Sequence, residues 1–265
     1  MRVWDSVRWL IILGIIVVSL SNASWIAPVQ RGTLDLIAAG SARGAAATAR
    51  CDSTTIFGAV DRMFMDRADR VLVGVRRSGE AFRIVLPAIS ACIEEASAAP
   101  TPERFARQYP QRRFVFDVGG DDRAFVALAD GYRAAGRPLD PRQAVMASAE
   151  VAAHARKAVP GLWAFDLETA RSCTDAYRWR GWTGLIPSAC QGQTVLVPID
   201  AQWSTWGWPN RFLARMAAAD VRTIMTGPAG SSGISVVKQI PDVPRDFKGA
   251  LWVQDISAIG PALRD

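Results

Sequence analysis

At 265 residues, half of them hydrophobic, the chain has enough apolar material for one large core or two small ones. Basic residues outnumber acidic ones, 31 to 25, and the excess is almost entirely arginine, since Lys157, Lys238 and Lys248 are the only lysines. The arginines are scattered, paired at Arg76-Arg77 and Arg112-Arg113 but never in a run, and no nucleic-acid motif accompanies them, which argues against a nucleic-acid partner.

Arg2 and Arg8 flank a short polar start, and the apolar run "WLIILGIIVVSL" follows from Trp9 to Leu20. That length suits the h-region of a signal peptide, and Ser21-Asn22-Ala23 offers small residues before a cut at Ser24. The rival is an uncleaved anchor: counting on to Ile26 barely reaches the length of a bilayer span, with Asn22 inside it. Either way residues 1–23 are set apart as signal peptide or membrane anchor, and the domain over 24–265 is expected in the periplasm or otherwise outside the cytoplasm. An oxidising compartment permits disulfides among the four cysteines, Cys51, Cys92, Cys173 and Cys190, for which three pairings exist. There is no C-x-x-C and His154 is the only histidine, so a cysteine-histidine zinc site is not expected.

From residue 34 onward, short apolar β-rich runs alternate with helical patterns. Eight principal strands are predicted at 34–38, 70–75, 113–118, 144–148, 161–165, 183–186, 221–225 and 250–254. Two further runs, 82–86 and 194–198, read as local additions, the first joined to its neighbour by the turn "RSGE". Asp52 or Ser53 suits the cap of the helix "TTIFGAVDRMF", Pro160 ends the helix "AEVAAHARKA", and Pro209 opens "NRFLARMAAA". The stretch "SAAPTPER" (97–104) reads as a loop. Strand-helix repeats in this number predict a single-domain α/β protein, a (β/α)8 TIM barrel. A doubly wound sheet fits less well: no glycine-rich phosphate loop follows the first strand, and "GPAGSSG" (227–233) comes late and lacks the Walker lysine.

A barrel collects its chemistry at the C-terminal ends of its strands. Several such positions are bare: Ala39-Gly40 after the first strand, Leu72 and Gly74 in the second, Pro87 and Ala88 after 82–86. Asp117, Asp166, Asp200 and Asp255 do follow apolar runs. They either cap the next helix or converge on a divalent cation. His154 lies mid-helix between two alanines, away from any strand end. Trp179, Trp182, Trp203, Trp206 and Trp208 fall within thirty residues, among Tyr177, Arg178, Arg180 and Arg211. Such a set lines a sugar or head-group pocket, for which Trp182, Trp206, Trp208 and Arg211 are the candidates, or forms a packed outer shell.

The segments "ARSCTDAYRWRGWTGLIPSAC", "VPIDAQWSTWGWPNRFLARM" and "DFKGALWVQDISAIGPAL" resemble the C-terminal half of a bacterial branch of the glycerophosphodiester phosphodiesterase family, whose fold is a phosphatidylinositol-phospholipase-C-like barrel. The resemblance covers about residues 165–263. It implies a Cys173–Cys190 disulfide and a phosphodiester or lipid head group as ligand. It also exposes what is missing, because the family's His-Arg-Gly falls on Ala39-Gly40-Ser41 and its Glu-Asn-Thr on Asp52-Ser53-Thr54. The metal-binding Glu-x-Asp falls on Leu72 and Gly74, and the second histidine-aspartate near Leu86-Pro87. Asp117 keeps a later acidic position, the candidate metal ligand, but the lysine that often follows is Gly119. The expectation is therefore an envelope protein with degenerate catalytic motifs and no cofactor, acting by binding or interaction. The alternative is an active phosphoric diester hydrolase that uses magnesium or calcium in a site rebuilt from Asp52, Asp117, Asp166 and Asp200.

Overall fold

A computed structural model of the chain describes residues 2–28, 33–40, 53–86, 99–231, 233–245 and 247–264; Cys51, Asp52 and Cys92 lie outside them. Eight strands run parallel around one curved sheet. They are β1 (Asp35–Ala38), β2 (Arg70–Ser78), β4 (Arg113–Gly119), β5 (Ala144–Ala147), β6 (Trp163–Phe165), β7 (Thr194–Pro198), β8 (Arg222–Thr226) and β9 (Ala250–Val253), in the spatial order β6-β5-β4-β2-β1-β9-β8-β7. The barrel is nearly closed. Inside it, Ile37, Leu72, Val115, Leu196, Ile224 and their neighbours make one dry apolar layer. A larger outer core packs the sheet against the helices α2 (Ser53–Met65), α4 (Asp122–Ala134), α5 (Ala149–Ala158), α7 (Asn210–Ala218) and α8 (Ile256–Arg264).

β3 (Ala81–Val85) is the one antiparallel strand, a hairpin partner for the far end of β2, with Gly79 at φ 61° in the intervening turn as "RSGE" suggests. The (β/α)8 class is as expected, but one barrel strand is not where the sequence placed it. Residues 183–186 form no strand. Gly181–Thr183 is a short 3-10 turn closed by Gly184 at φ 80°, a left-handed geometry that an extended strand cannot contain. The barrel strand is instead 194–198, read from sequence as an addition, whose first four residues are all buried. The loop expected at 97–104 also runs into a helix, α3 (Pro102–Gln108), because Thr101 accepts the backbone N–H of Arg104 and Pro102 takes the first turn.

Among the described residues no ladder joins β6 to β7, which leaves a seam in the barrel wall. β6 has only three residues, so it offers little edge to pair. α6 (Leu167–Arg180), capped by Asp166, fills the gap. The Thr174 hydroxyl donates to the carbonyl of Leu196 (2.8 Å) and accepts its N–H (3.1 Å), doing for β7 what a neighbouring strand would do. The Trp163 indole donates across the same seam to Thr194 Oγ1 at 3.1 Å. The Cys173–Cys190 disulfide, with its Cα atoms 4.8 Å apart, ties α6 to the return segment before β7.

The Thr174→Val substitution preserves the shape of the side chain and strands both polar groups of Leu196 in a buried setting. It should lower the free energy of unfolding by about 1–3 kcal/mol, with Thr174→Ser much closer to the parent chain. Denaturant titration of the three proteins checks this, and equal midpoints for valine and threonine would show that the seam is sealed by other contacts. Breaking the disulfide by Cys173→Ser should cost about 3 kcal/mol, the size expected from chain entropy for a loop of this order. The same titration, run with and without reductant, reads it: the parent should fall to the variant's midpoint only when reduced.

Candidate functional site

The C-terminal rim of the barrel divides into two halves with different chemistry. On the side of β1, β2 and β4 the expected catalytic positions are filled with packing. Ala39 sits against the apolar layer inside the barrel, and Gly40 lies so close to the chain after β9 that an added Cβ would fall 1.9 Å from the carbonyl oxygen of Gln254. Leu72 is buried within the same dry layer. Gly74 pairs with Asp117 across the parallel β2–β4 ladder, and a Cβ there would meet Val85 at 3.2 Å and the Arg76 guanidinium at 3.4 Å. The β2–β3 hairpin, rising past the rim, therefore occupies the space above Gly74. Leu86 is buried beside it, and Pro87 lies outside the described residues.

Arg76 is the cation of this half. Its Nη2 is bonded to the Asp117 carboxylate and its Nη1 donates to the Asp117 carbonyl at 2.8 Å, while Asp117 Oδ1 also accepts the Gly119 N–H at 3.1 Å. Gly119 itself is at φ 63°, where a lysine would be strained. Among the described residues this half does not fit a divalent cation, because its carboxylate, Asp117, already faces a guanidinium. Among the described residues no group of three histidine, cysteine or acidic side chains is placed to hold a metal.

The other candidate carboxylates are likewise engaged where they stand. Asp166 accepts the N–H and hydroxyl of Thr169 at the start of α6 (2.7 and 2.8 Å), and Asp255 accepts the Ala258 N–H and Ser257 hydroxyl at the start of α8. Asp200 accepts the Ala229 N–H at 3.0 Å and so braces the 227–233 loop. Capping was one of the two sequence readings for Asp166 and Asp255, and the structure brings neither to Asp117 through any shared partner. Asp52 lies outside the described residues. His154 bonds Asp122 at 2.5 Å between α5 and α4, on the outside of the barrel.

The second half of the rim, beyond β7, β8 and β9, is open. A cavity of about 550 Å³ lies between one face of α6 and the 227–233 loop. Arg171, Thr174 and Arg178 line one wall at helical spacing, Thr226 and Pro228–Ser231 the other, with Trp252 of β9 at the base. Asp175 also lies on this wall, 3.7 Å from Arg178 Nη1. The loop is drawn tight at Gly227, where a Cβ would lie 2.2 Å from the carbonyl oxygen of Gly233. Two guanidinium groups, the hydroxyls of Thr226 and Ser231 and an indole suit an anion with a short organic body.

None of Trp182, Trp206, Trp208 and Arg211, the pocket candidates from sequence, lines this cavity. Trp208 is half-buried against Phe212 and Phe247 and donates to Gln202, which is the packed-shell alternative. Trp206 donates to the carbonyl of Arg178, Arg211 holds the carbonyl of Ser21, and Trp182 is exposed. Arg171 went unremarked in the sequence although a signal existed: Leu167, Arg171, Thr174 and Arg178 share one helical face.

These features define a barrel with the fold of the glycerophosphodiester phosphodiesterases. Among solved structures the chain is similar to the glycerophosphodiester phosphodiesterase of Agrobacterium tumefaciens str. C58, with a TM-score of 0.56 at 12% identity over 89% of this chain and 100% of that one. It is similar to the same degree to the glycerophosphoryl diester phosphodiesterase domain of a Mycobacterium tuberculosis protein, with a TM-score of 0.54 at 12% identity over 86% and 98%. No protein-family model and no curated protein sequence matches the chain.

Gly40→Ala should destabilise the protein by about 1–3 kcal/mol or more, since the added methyl meets backbone that cannot rotate away. A thermal melt checks it. An unchanged midpoint would mean that the rim between β1 and β9 has room for a side chain after all.

Proposed function

We propose that this chain is a phosphodiesterase-like barrel of the cell envelope that no longer hydrolyses and instead binds a phosphodiester or phosphorylated head group at its rim. The observation that carries the reading is the cavity beside α6, which offers Arg171 and Arg178 to an anion and Trp252 to its organic part. Arginine is suited to this because its planar fork meets phosphate oxygens two at a time. Hydrolysis asks for more. Positioned acid-base groups contribute on the order of 10²–10⁴ in rate, and Ala39 and Leu86 transfer no proton. A metal adds several kcal/mol of charge stabilisation, and Leu72 and Gly74 offer it no ligand. The alternative, a hydrolase rebuilt on carboxylates, needs Asp117 released from Arg76 and Asp200 from the loop it braces.

Two measurements test this. A glycerol-3-phosphate release assay on glycerophosphodiesters, with magnesium and with calcium, should read background; turnover of about 1 per second, abolished by Asp117→Asn, would restore the hydrolase. Glycerol 3-phosphate should raise the melting temperature of the parent chain and leave Arg171→Ala unmoved, because a ligand stabilises only the state that binds it. Equal shifts in both proteins would place the ligand elsewhere.

A further inference from the structure

α1 (Arg2–Asn22) leaves an apolar surface in the open. Trp9, Leu10 and Ile11 are consecutive and all exposed, as are Ile15, Ile16 and Val17. Three successive residues on a helix point in directions 100° apart, so the helix is apolar around most of its girth. A helix of that kind requires an apolar surrounding. Among the described residues no helix is long and apolar enough to cross a membrane. The uniform run from Trp9 to Leu20 amounts to about 18 Å at 1.5 Å per residue, enough to enter one leaflet and too short for a hydrocarbon core of about 30 Å.

The end of α1 is built into the barrel. Arg215 donates to the carbonyl of Ser21 (2.7 Å) and to Asn22 Oδ1 (2.9 Å), Arg211 donates to the same Ser21 carbonyl, and Asn22 donates to the carbonyl of Trp182 (2.9 Å). Ser24 Oγ accepts the N–H of Asn210 at 2.9 Å. Residues 21–24, the stretch in which a signal peptide would be cut, thus hold five contacts' worth of the folded domain's polar groups around one arginine pair.

Exposed tryptophans occur on the segments next to this base. Trp25, Trp179 and Trp203 are 81%, 82% and 89% exposed, and Trp182, Trp206 and Leu185 are exposed as well. Trp25 follows the bonded Ser24, and Trp182 meets α1 directly through its carbonyl to Asn22. Trp179 lies in the last turn of α6, just before Trp182, and Trp203 and Trp206 precede the α7 helix whose Arg211 and Arg215 hold Ser21. Between residues 178 and 215 there are four arginines, Arg178, Arg180, Arg211 and Arg215, and one acid, Asp200. Indoles at the foot of an apolar helix, interspersed with arginines, match the head-group layer of an anionic bilayer in both polarity and charge.

We propose that this face seats the barrel on an anionic membrane surface, with α1 embedded and kept as part of the domain and the indoles of Trp179 and Trp203 in the head-group layer. The inference stands apart from the choice of ligand at the rim. Arg178 connects the two, since its side chain lines the cavity and its carbonyl holds Trp206.

The test uses the full chain reconstituted with vesicles of phosphatidylcholine and phosphatidylglycerol, the former brominated on its acyl chains just below the head groups. Tryptophan emission is compared between the parent and a Trp179→Phe/Trp203→Phe double variant, whose fold is checked by circular dichroism. The expected result is that the emission lost in the variant is the bromine-quenched part, and that in the parent the same part is shielded from aqueous iodide. Three results overturn the proposal: an emission difference that bromine leaves unquenched; a chain that floats free of vesicles as a self-associated species, in which a second copy covers α1; or exported protein that begins at Ser24. If the double variant fails to fold, the iodide shielding of the parent, vesicle-bound against detergent-solubilised, decides alone, and equal accessibility in both sinks the idea.

Discussion

The seam between β6 and β7 is the constraint on which the rest of this molecule turns. A parallel barrel must close, and here the last ladder is replaced by one hydroxyl and one indole: Thr174 on Leu196, and Trp163 on Thr194. Thr174 reaches the edge of β7 from α6, so that helix packs directly on the seam. The same face of α6 carries Arg171 and Arg178, which line the cavity across from the 227–233 loop. At the far end of α6, Trp206 meets the Arg178 carbonyl and the Tyr177 hydroxyl meets the Trp206 carbonyl at 2.9 Å. One sealing contact thus sets the binding wall and the aromatic face together.

The opposite end of the barrel is charged, and a cavity of about 400 Å³ opens there beside Asp35, Trp163 and Arg222. Arg70 bonds Asp35 at 2.7 Å, Arg113 lies 3.6 Å from both Asp35 and Asp69, and Asp69 accepts the Leu36 N–H. Trp163 is bracketed by Arg70 and Arg222 at 5.5 and 5.1 Å from its ring. Burial, and then the charge of Arg70, pulls the Arg222 pKa down. Ion pairs here fix the starting registers of β1, β2 and β4, a structural use in keeping with the N-terminal end of such barrels.

Most of the frame was legible because parallel barrel strands are buried on both sides and read as continuous apolar runs. The exception is instructive. "TGLI" and "TVLVP" are both short and apolar, but Gly184 inside the first is left-handed, which makes that run a turn. Periodicity could not separate them, since neither run is long enough to show any. The aspartates were legible as caps from their position before helices. Asp117 was not, because its partner Arg76 lies 41 positions away, and nothing local announces that meeting. The identities of Ala39, Leu72 and Gly74 were legible from the sequence, but the cavity beside α6 was not, because it depends on which face of that helix meets the 227–233 loop.

On the side of β1, β2 and β4, the described rim residues support one another. A carboxylate at position 72 would have to ionise inside a layer made of Ile37, Val115, Leu196 and Ile224, and an unpaired buried charge costs several kcal/mol. A metal would repay that cost, but the space it would need above Gly74 is filled by Val85 and by the Arg76 guanidinium, which already neutralises Asp117. Each of these residues therefore suits the others: Leu72 calls for no cation, Arg76 supplies a fixed one for Asp117, and the β2–β3 hairpin packs beside both. A single acidic residue introduced at position 72 would be a charge without its counter-ion, so these contacts act as a set.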